Sequence, residues 1–365
     1  MANILDYLDW RGDLSFASSP FNDVDSVILS QLAYIEFSDV TDGGGITLNE
    51  AAKALLVKYP DGVIPKGLMR AKEMNTLLIK ASVSKRFRNA VVFMPQSLID
   101  TEKNEQFAAM TFILGDGNMY VAFRGTDQSV VGWKEDFNMS FISPVPSQPD
   151  SVTYLESVAS LRGENIFTGG HSKGGNLAMY SAAFSRGVSD RILRIYNNDG
   201  PGFPESVVSC EEFDAILPKI ISIVPQGSVV GMLLEHREVY SIVKSSQRGL
   251  LQHDCFSWEV MGRELVTLPS RNSESKLVDS TLSEWLTAMT DEERGTFVNA
   301  LCEVLTATEA QTLSALSSDG IKLIKSIRGL DQHTKEVLNK ALRELREQAK
   351  RSAKEFASGL IQRTE

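Results

Sequence analysis

Asn165-Ile166-Phe167-Thr168-Gly169-Gly170-His171-Ser172-Lys173-Gly174-Gly175 is the stretch that decides the fold of this 365-residue chain. Its first four residues read as a short strand, and an alanine-rich helix runs from Gly174 to Arg186. Between them, Gly170 to Gly174 spell Gly-x-Ser-x-Gly, the spacing of a nucleophile elbow. A serine on such a turn is presented above a sheet edge, and side chains at the two flanking glycines would collide with the neighbouring strand and helix. Ser172 is therefore the candidate nucleophile. The following helix directs its N-terminus at the site, where the backbone N–H of Lys173 can hold an oxyanion.

Working outward, Phe107 to Leu114 and Met119 to Arg124 read as strands joined by the hairpin turn Gly115-Asp116-Gly117-Asn118. Ile192 to Asn197, Lys219 to Val224 and Val239 to Val243 are further strand candidates. Strands alternating with helices predict an α/β protein of the α/β-hydrolase fold, with a mostly parallel sheet flanked by helices. Residues 1–90 read as helices packed on that core. Val24, Val27, Ile28, Leu32 and Ile35 keep a helical period, and Thr47 with Glu50 makes a capping box. The catalytic core is expected over 91–268 and a helical extension over 269–365. Helical patterns run from Leu277 to Leu305, and a long helix from Asp331 to Leu360. Its stripe of Leu338, Leu342, Leu345, Ala349 and Phe356 reads as a helix docked on its own domain.

Gly170-His171-Ser172-Lys173-Gly174-Gly175 resembles the Gly-His-Ser-x-Gly-Gly of the class 3, or fungal-type, lipases. Upstream, Val121-Ala122-Phe123-Arg124-Gly125-Thr126, followed by Trp133 and Asp136, resembles that family's Phe-Arg-Gly-Thr/Ser…Trp-x-x-Asp element. The resemblance implies that Thr126 supplies a second oxyanion N–H and that Arg124 pairs with Asp136 to brace the loop. Taken whole, with its helical flanks, the chain resembles a bacterial family of lipase-like proteins.

A serine hydroxyl is a weak nucleophile, so it needs a general base and the base needs an orienting group. In this fold their order along the chain is Ser, acid, His. His236, His253 and His333 lie downstream of Ser172. His253 is the candidate base, in a loop between the strand ending at Val243 and a helical Phe256-Ser257-Trp258-Glu259. His236 precedes that strand and is the alternative, while His171 adjoins Ser172 and should point elsewhere. The class 3 pattern places an aspartate where this chain has Ser228, and a serine cannot balance an imidazolium charge. Asp199 stands at the end of the preceding strand, where pancreatic-type lipases carry their acid. Asp254, Glu235 and a Ser–His dyad with no acid remain alternatives.

The chain holds 37 Lys+Arg and 47 Asp+Glu, a formal net charge of −10, which argues against nucleic acid as a partner. From Ile321 onward 11 basic residues stand against 6 acidic ones, so this tail is +5 and residues 1–320 carry −15. A peripheral membrane or protein contact through the basic helix is one expectation. Cys210, Cys255 and Cys302 are too few for a disulfide framework or a zinc site. No signal peptide is visible and no apolar run approaches the roughly 18 residues of a membrane span, so a cytoplasmic protein is expected. The motifs point to a serine esterase, lipase-like, acting on a small-molecule or lipid ester without cofactor or metal. A non-catalytic scaffold of the same fold is the alternative. Phe141-Ile142 and Pro144-Val145-Pro146 form an apolar segment near the site, either a lid or a rigid loop.

Overall fold

The chain begins with helices whose starts are written in their caps. In the computed structural model, which describes residues 1–65, 71–127, 129–272, 281, 284–285, 288–307, 329 and 331–361, Asn3 and Asp6 close a capping box on α1 (Ile4–Arg11). Asn22 and Asp25 do the same on α2 (Asp23–Leu32). After β1 (Ile46–Thr47), Thr47 and Glu50 form the box expected on α3 (Leu48–Lys58), and α4 (Ala71–Val83) completes the group.

Every residue of α2 from Val24 to Leu32 is buried, so its polar members need internal partners. Asp25 forms a fully buried ion pair with Arg86, Oδ1 to Nε 2.7 Å. Ser26 and Ser30 lie 3.0 and 2.8 Å from the Tyr120 hydroxyl and accept from Asn198 Nδ2 at 3.2 and 3.1 Å. The helix is thus tied by polar contacts to the sheet it covers.

β2 (Val91–Asp100), β3 (Glu105–Ile113) and β4 (Asn118–Phe123) form an antiparallel meander. Helices α5 (Val130–Asn138) and α6 (Ser147–Leu161) lead to β5 (Asn165–His171), from which α7 (Lys173–Phe184) departs. Then come β6 (Ile192–Asn198), the short α8 (Glu205–Val208) and α9 (Glu211–Ile216), β7 (Ile220–Pro225) and β8 (Tyr240–Val243). Three two-residue strands follow, β9 (Val260–Met261), β10 (Glu264–Leu265) and β11 (Thr267–Leu268). The described helices end with α10 (Asp291–Ala307) and α11 (Gln332–Ile361).

Nine strands make one sheet in the order β1-β2-β3-β4-β5-β6-β7-β8-β11. The expected mostly parallel sheet is corrected to a mixed one. The pairings from β4 through β8 are parallel, and those at both flanks are antiparallel. Connection length decides this: the turns at 101–104 and 114–117 can only reverse the chain, whereas crossovers such as α7 return it parallel. A second correction follows β8, where the expected helix at Phe256 is a single 3-10 turn, Cys255–Ser257, before the chain re-enters strand.

Side-chain alternation divides the core. Tyr120 and Ala122 join the apolar cluster of the N-terminal helices, while Met119, Val121 and Phe123 join that of α6 and α7. A separate cluster holds the C-terminal helices. Trp285, Met289 and Phe297 pack with Val337, Leu338 and Ala341 of α11, against Val130, Phe137 and Phe141 at α5. Of the expected stripe, Leu338 belongs to this cluster and Leu345 packs against it, while Leu342 is exposed. The helical pattern starting at Leu277 falls partly outside the described residues, as do the side chains of Cys302, Ala349 and Phe356. Among the described residues no helix is long and apolar enough to cross a membrane.

Candidate active site

From His171, the last residue of β5, the chain turns through Ser172 at φ 58°, ψ −135° into α7. Positive φ at a non-glycine residue stores on the order of 1–3 kcal/mol. The surroundings hold it: the Ser172 N–H donates to Asn198 O at 3.0 Å, and the Gly175 N–H to Ser172 O at 2.9 Å. A Cβ on Gly170 or Gly174 would overlap the Phe123 carbonyl oxygen, so the turn closes only with glycine at both places. Ser172 is half-buried, and among the described residues its Oγ makes no hydrogen bond.

One side of the elbow carries a histidine–carboxylate pair. His253 Nδ1 lies 2.7 Å from Asp199 Oδ2. Asp199 follows β6, is fully buried, and sits at φ 55° with its N–H on Ile223 O at 2.8 Å. Its other oxygen accepts the Ser228 hydroxyl at 2.5 Å. Ser228, in the place where an aspartate was expected, therefore braces the carboxylate that comes from one strand earlier. A carboxylate at Nδ1 keeps the proton on that nitrogen and leaves Nε2 as the basic one. His253 closes the 3-10 turn Gly249–His253, which Gln252 pins by accepting the Gly227 N–H at 3.0 Å. Asp254 caps the next turn through the Phe256 N–H, Glu235 is exposed, and His236 Nδ1 lies 2.9 Å from Glu238.

His171 points beneath the elbow and does structural work there that its adjacency to Ser172 did not announce. Its Nε2 is 2.8 Å from the His253 carbonyl oxygen, its Nδ1 is 3.1 Å from the Tyr34 hydroxyl, and the two histidine rings lie 4.4 Å apart. A carbonyl only accepts, so Nε2 carries the proton and Tyr34 donates to Nδ1. Burial, with a smaller push from His253, holds the His171 pKa well below its ordinary value. His171 is a neutral prop under the candidate base.

The other side holds the candidate oxyanion loop. A Cβ on Gly125 would come within 2.6 Å of His171 O and 3.1 Å of Ser172 Cβ, which measures how closely this loop abuts the elbow. Thr126 Oγ1 donates to Asp136 Oδ2 at 2.5 Å. Burial pushes the Asp136 carboxyl up to about 6, against the opposing pull of Lys173 and of the Thr126 bond. The expected Arg124–Asp136 pair is corrected. Arg124 is buried with Nη1 3.4 Å from Glu36 Oε2 and Nη2 3.0 Å from Ser97 Oγ. It leaves the end of β4 toward β2, whereas Asp136 on α5 faces Thr126. Trp133 is half-buried on α5.

Lys173 has a buried side chain. Its Nζ donates to Gln106 O, Gln106 Oε1 and Glu135 Oε2 at 2.7, 3.0 and 2.8 Å. Glu135 Oε2 also accepts the Gln106 N–H at 3.0 Å, and Oε1 the Ser147 N–H at 2.9 Å. Sequence reasoning missed this pair and the His171–Tyr34 contact. One signal was available: a lysine in the first turn of a helix packed under a sheet is seldom buried without a carboxylate partner.

By its match to a family model, the chain is lipase-like. Residues 81–303 match the Mbeg1-like family, and the chain belongs to it. No curated protein matches the chain. Among solved structures it is similar to the native Rhizomucor miehei lipase propeptide complex, at 12% identity over 61% of this chain and 68% of that one, TM-score 0.36. It is also similar to M37 lipase, at 15% identity over 58% of this chain and 69% of that one, TM-score 0.37.

Proposed function

We propose that this protein is a serine hydrolase of the α/β-hydrolase type that cleaves carboxylic esters through an acyl-enzyme on Ser172. The observation that carries the reading is the 2.7 Å contact between His253 Nδ1 and the buried carboxylate of Asp199, beside an elbow serine at positive φ. Ser172 Oγ attacks the ester carbonyl while His253 Nε2 takes its proton. The N–H groups of Thr126 and Lys173 hold the oxyanion. The imidazolium, balanced by Asp199, gives its proton to the leaving alcohol. His253 then takes a proton from water as that water attacks the acyl carbon, and returns it to Ser172 as the acid leaves. These steps need no cofactor.

Leu250 and Leu251 are 68% and 64% exposed on the turn that carries His253, which favours a lipid or short acyl ester over a charged substrate. The scaffold alternative rests on the serine at position 228 and on the large helical flanks. The Asp199 carboxylate at His253 Nδ1, with Ser228 behind it, weighs against the first of these.

The test is p-nitrophenyl ester turnover and fluorophosphonate labelling of the protein and of Ser172→Ala. Turnover and labelling by the wild type are expected, with a loss of at least about 10⁴-fold in the variant. Equal signals from both proteins would sink the reading.

A further inference from the structure

Lys173 and Thr126 reach the elbow from different parts of the chain, yet their surroundings converge on one residue of β3 and two consecutive residues of α5. Gln106 Oε1 accepts both Lys173 Nζ at 3.0 Å and the Asp127 N–H at 3.3 Å. Glu135 holds the Lys173 ammonium, and its neighbour Asp136 holds the Thr126 hydroxyl. The Lys173 and Glu135 side chains are 1% and 0% exposed, so neither charge can turn to water if its partner is lost. All three ammonium protons are directed, and the Glu135 carboxylate takes three donors from three separate segments.

We infer that Lys173, Gln106 and Glu135 form a clamp that sets the separation and direction of the two oxyanion N–H groups. The inference rests on the proposed reading of Ser172 and deepens it. Lys173 then has two distinct parts in the site: its main chain faces the reacting oxygen, and its side chain positions that main chain against the loop of Thr126. Gln106 and Glu135 are positioning residues, acting only through Lys173 and the Gly125–Asp127 loop. An ion pair suits the task. A buried charge pair with its hydrogen bonds complete admits one geometry, where an apolar contact of equal volume tolerates sliding.

The clamp is tested with Lys173→Met and Gln106→Met in the full chain. The second variant keeps the Lys173–Glu135 pair and removes only the shared acceptor, so it folds if the ion pair is what the fold requires. Three quantities are read: kcat and KM for a p-nitrophenyl ester, the affinity of a boronic acid that forms a tetrahedral adduct on Ser172, and the amide ¹H–¹⁵N signals of Gly125 to Asp127. Lys173→Met is expected to lower kcat about 10- to 100-fold with KM within about twofold, and boronate affinity by the same factor, as loss of an aligned oxyanion donor does. Gln106→Met is expected to give a smaller loss with the same pattern, about three- to tenfold. Displaced loop amides are expected in both. A purely structural role would lower the melting temperature while leaving kcat, boronate affinity and those amides at wild-type values, and that result overturns the clamp. If Lys173→Met does not fold, Gln106→Met decides by the same criteria. A wild type that turns over no ester defeats the proposed reaction. In that case the loop amides alone decide the clamp, and unmoved amides overturn it.

Discussion

The two sides of Ser172 are built differently. The acid–base side is assembled from loops at the ends of the parallel strands β6, β7 and β8, with Asp199, Ser228 and His253 joined by contacts of 2.5 and 2.7 Å. The oxyanion side is assembled from the antiparallel β3, the loop after β4 and the helix α5. It holds the buried Lys173–Glu135 pair and an Asp136 whose carboxyl burial pushes up to about 6. The acid–base side thus keeps one net carboxylate where the proposed reaction creates an imidazolium. On the oxyanion side Lys173 and Glu135 cancel each other's charge in place. Charge is used as a reagent on one side and as a rivet on the other.

That contrast can be broken most sharply at Asp199. Asp199→Asn keeps the shape and removes the charge, and it favours the wrong tautomer of His253. A loss of about 10⁴ in kcat is expected in ester turnover at neutral pH. A loss below tenfold would mean that His253 does not need the carboxylate, and the two sides would no longer differ in the way described.

Ser228→Ala sharpens the comparison at a smaller scale. It removes one hydroxyl from a fully buried carboxylate that keeps its bond to His253. A loss of about tenfold in kcat is expected, in line with one hydrogen bond to a charged group. Unchanged kcat would show that Ser228 only fills space.

The effect at Asp136 is of another kind and appears in stability. In the folded protein its pKa rises from 3.8 to about 6. The folded state therefore holds a proton that the unfolded chain has released. The stability from that retained proton is fully present below about pH 4 and is lost as pH rises through about 6. A proton held about a hundredfold more tightly in the folded state is worth about 3 kcal/mol. Denaturant unfolding between pH 4 and 7 is expected to show this fall in the wild type and a flatter profile in Asp136→Asn. Parallel profiles would place the titration elsewhere.

How much of this could be read in advance depended on distance along the chain. Ser172 was legible because its strand, glycines and helix are contiguous, and Thr126 because a second compact motif surrounds it. His253 was singled out by its place after the strand ending at Val243, and Asp199 by the place where pancreatic-type lipases carry their acid, with Asp254, Glu235 and no acid left open. The contacts that sequence reading misses or misassigns join distant residues. Lys173 and Glu135 are 38 residues apart, Arg124 and Glu36 are 88, and Tyr34 and His171 are 137. Local spacing pairs Arg124 with the nearer Asp136 because it cannot weigh a partner that only the fold brings close. β2 escapes notice for another reason. Its register shifts between Phe93 and Gln96, with Met94 at φ 48°, so the two-residue alternation that marks a strand is interrupted at its middle. The mixed direction of the sheet was half visible in the Gly115–Asn118 turn, since alternation records burial and not direction.

The hydrogen bonds from Asn198 to Ser26 and Ser30 span 172 and 168 residues. During synthesis α2 leaves the ribosome long before β6 exists. At about 5–20 residues per second, the interval is on the order of 10–30 s. For that time Val24, Val27 and Ile28, each with no exposure in the finished protein, lack the β6 part of the sheet they will cover. The helix that underlies the site is thus made early and seated late, so the nascent chain must be kept from aggregating for much of its own translation.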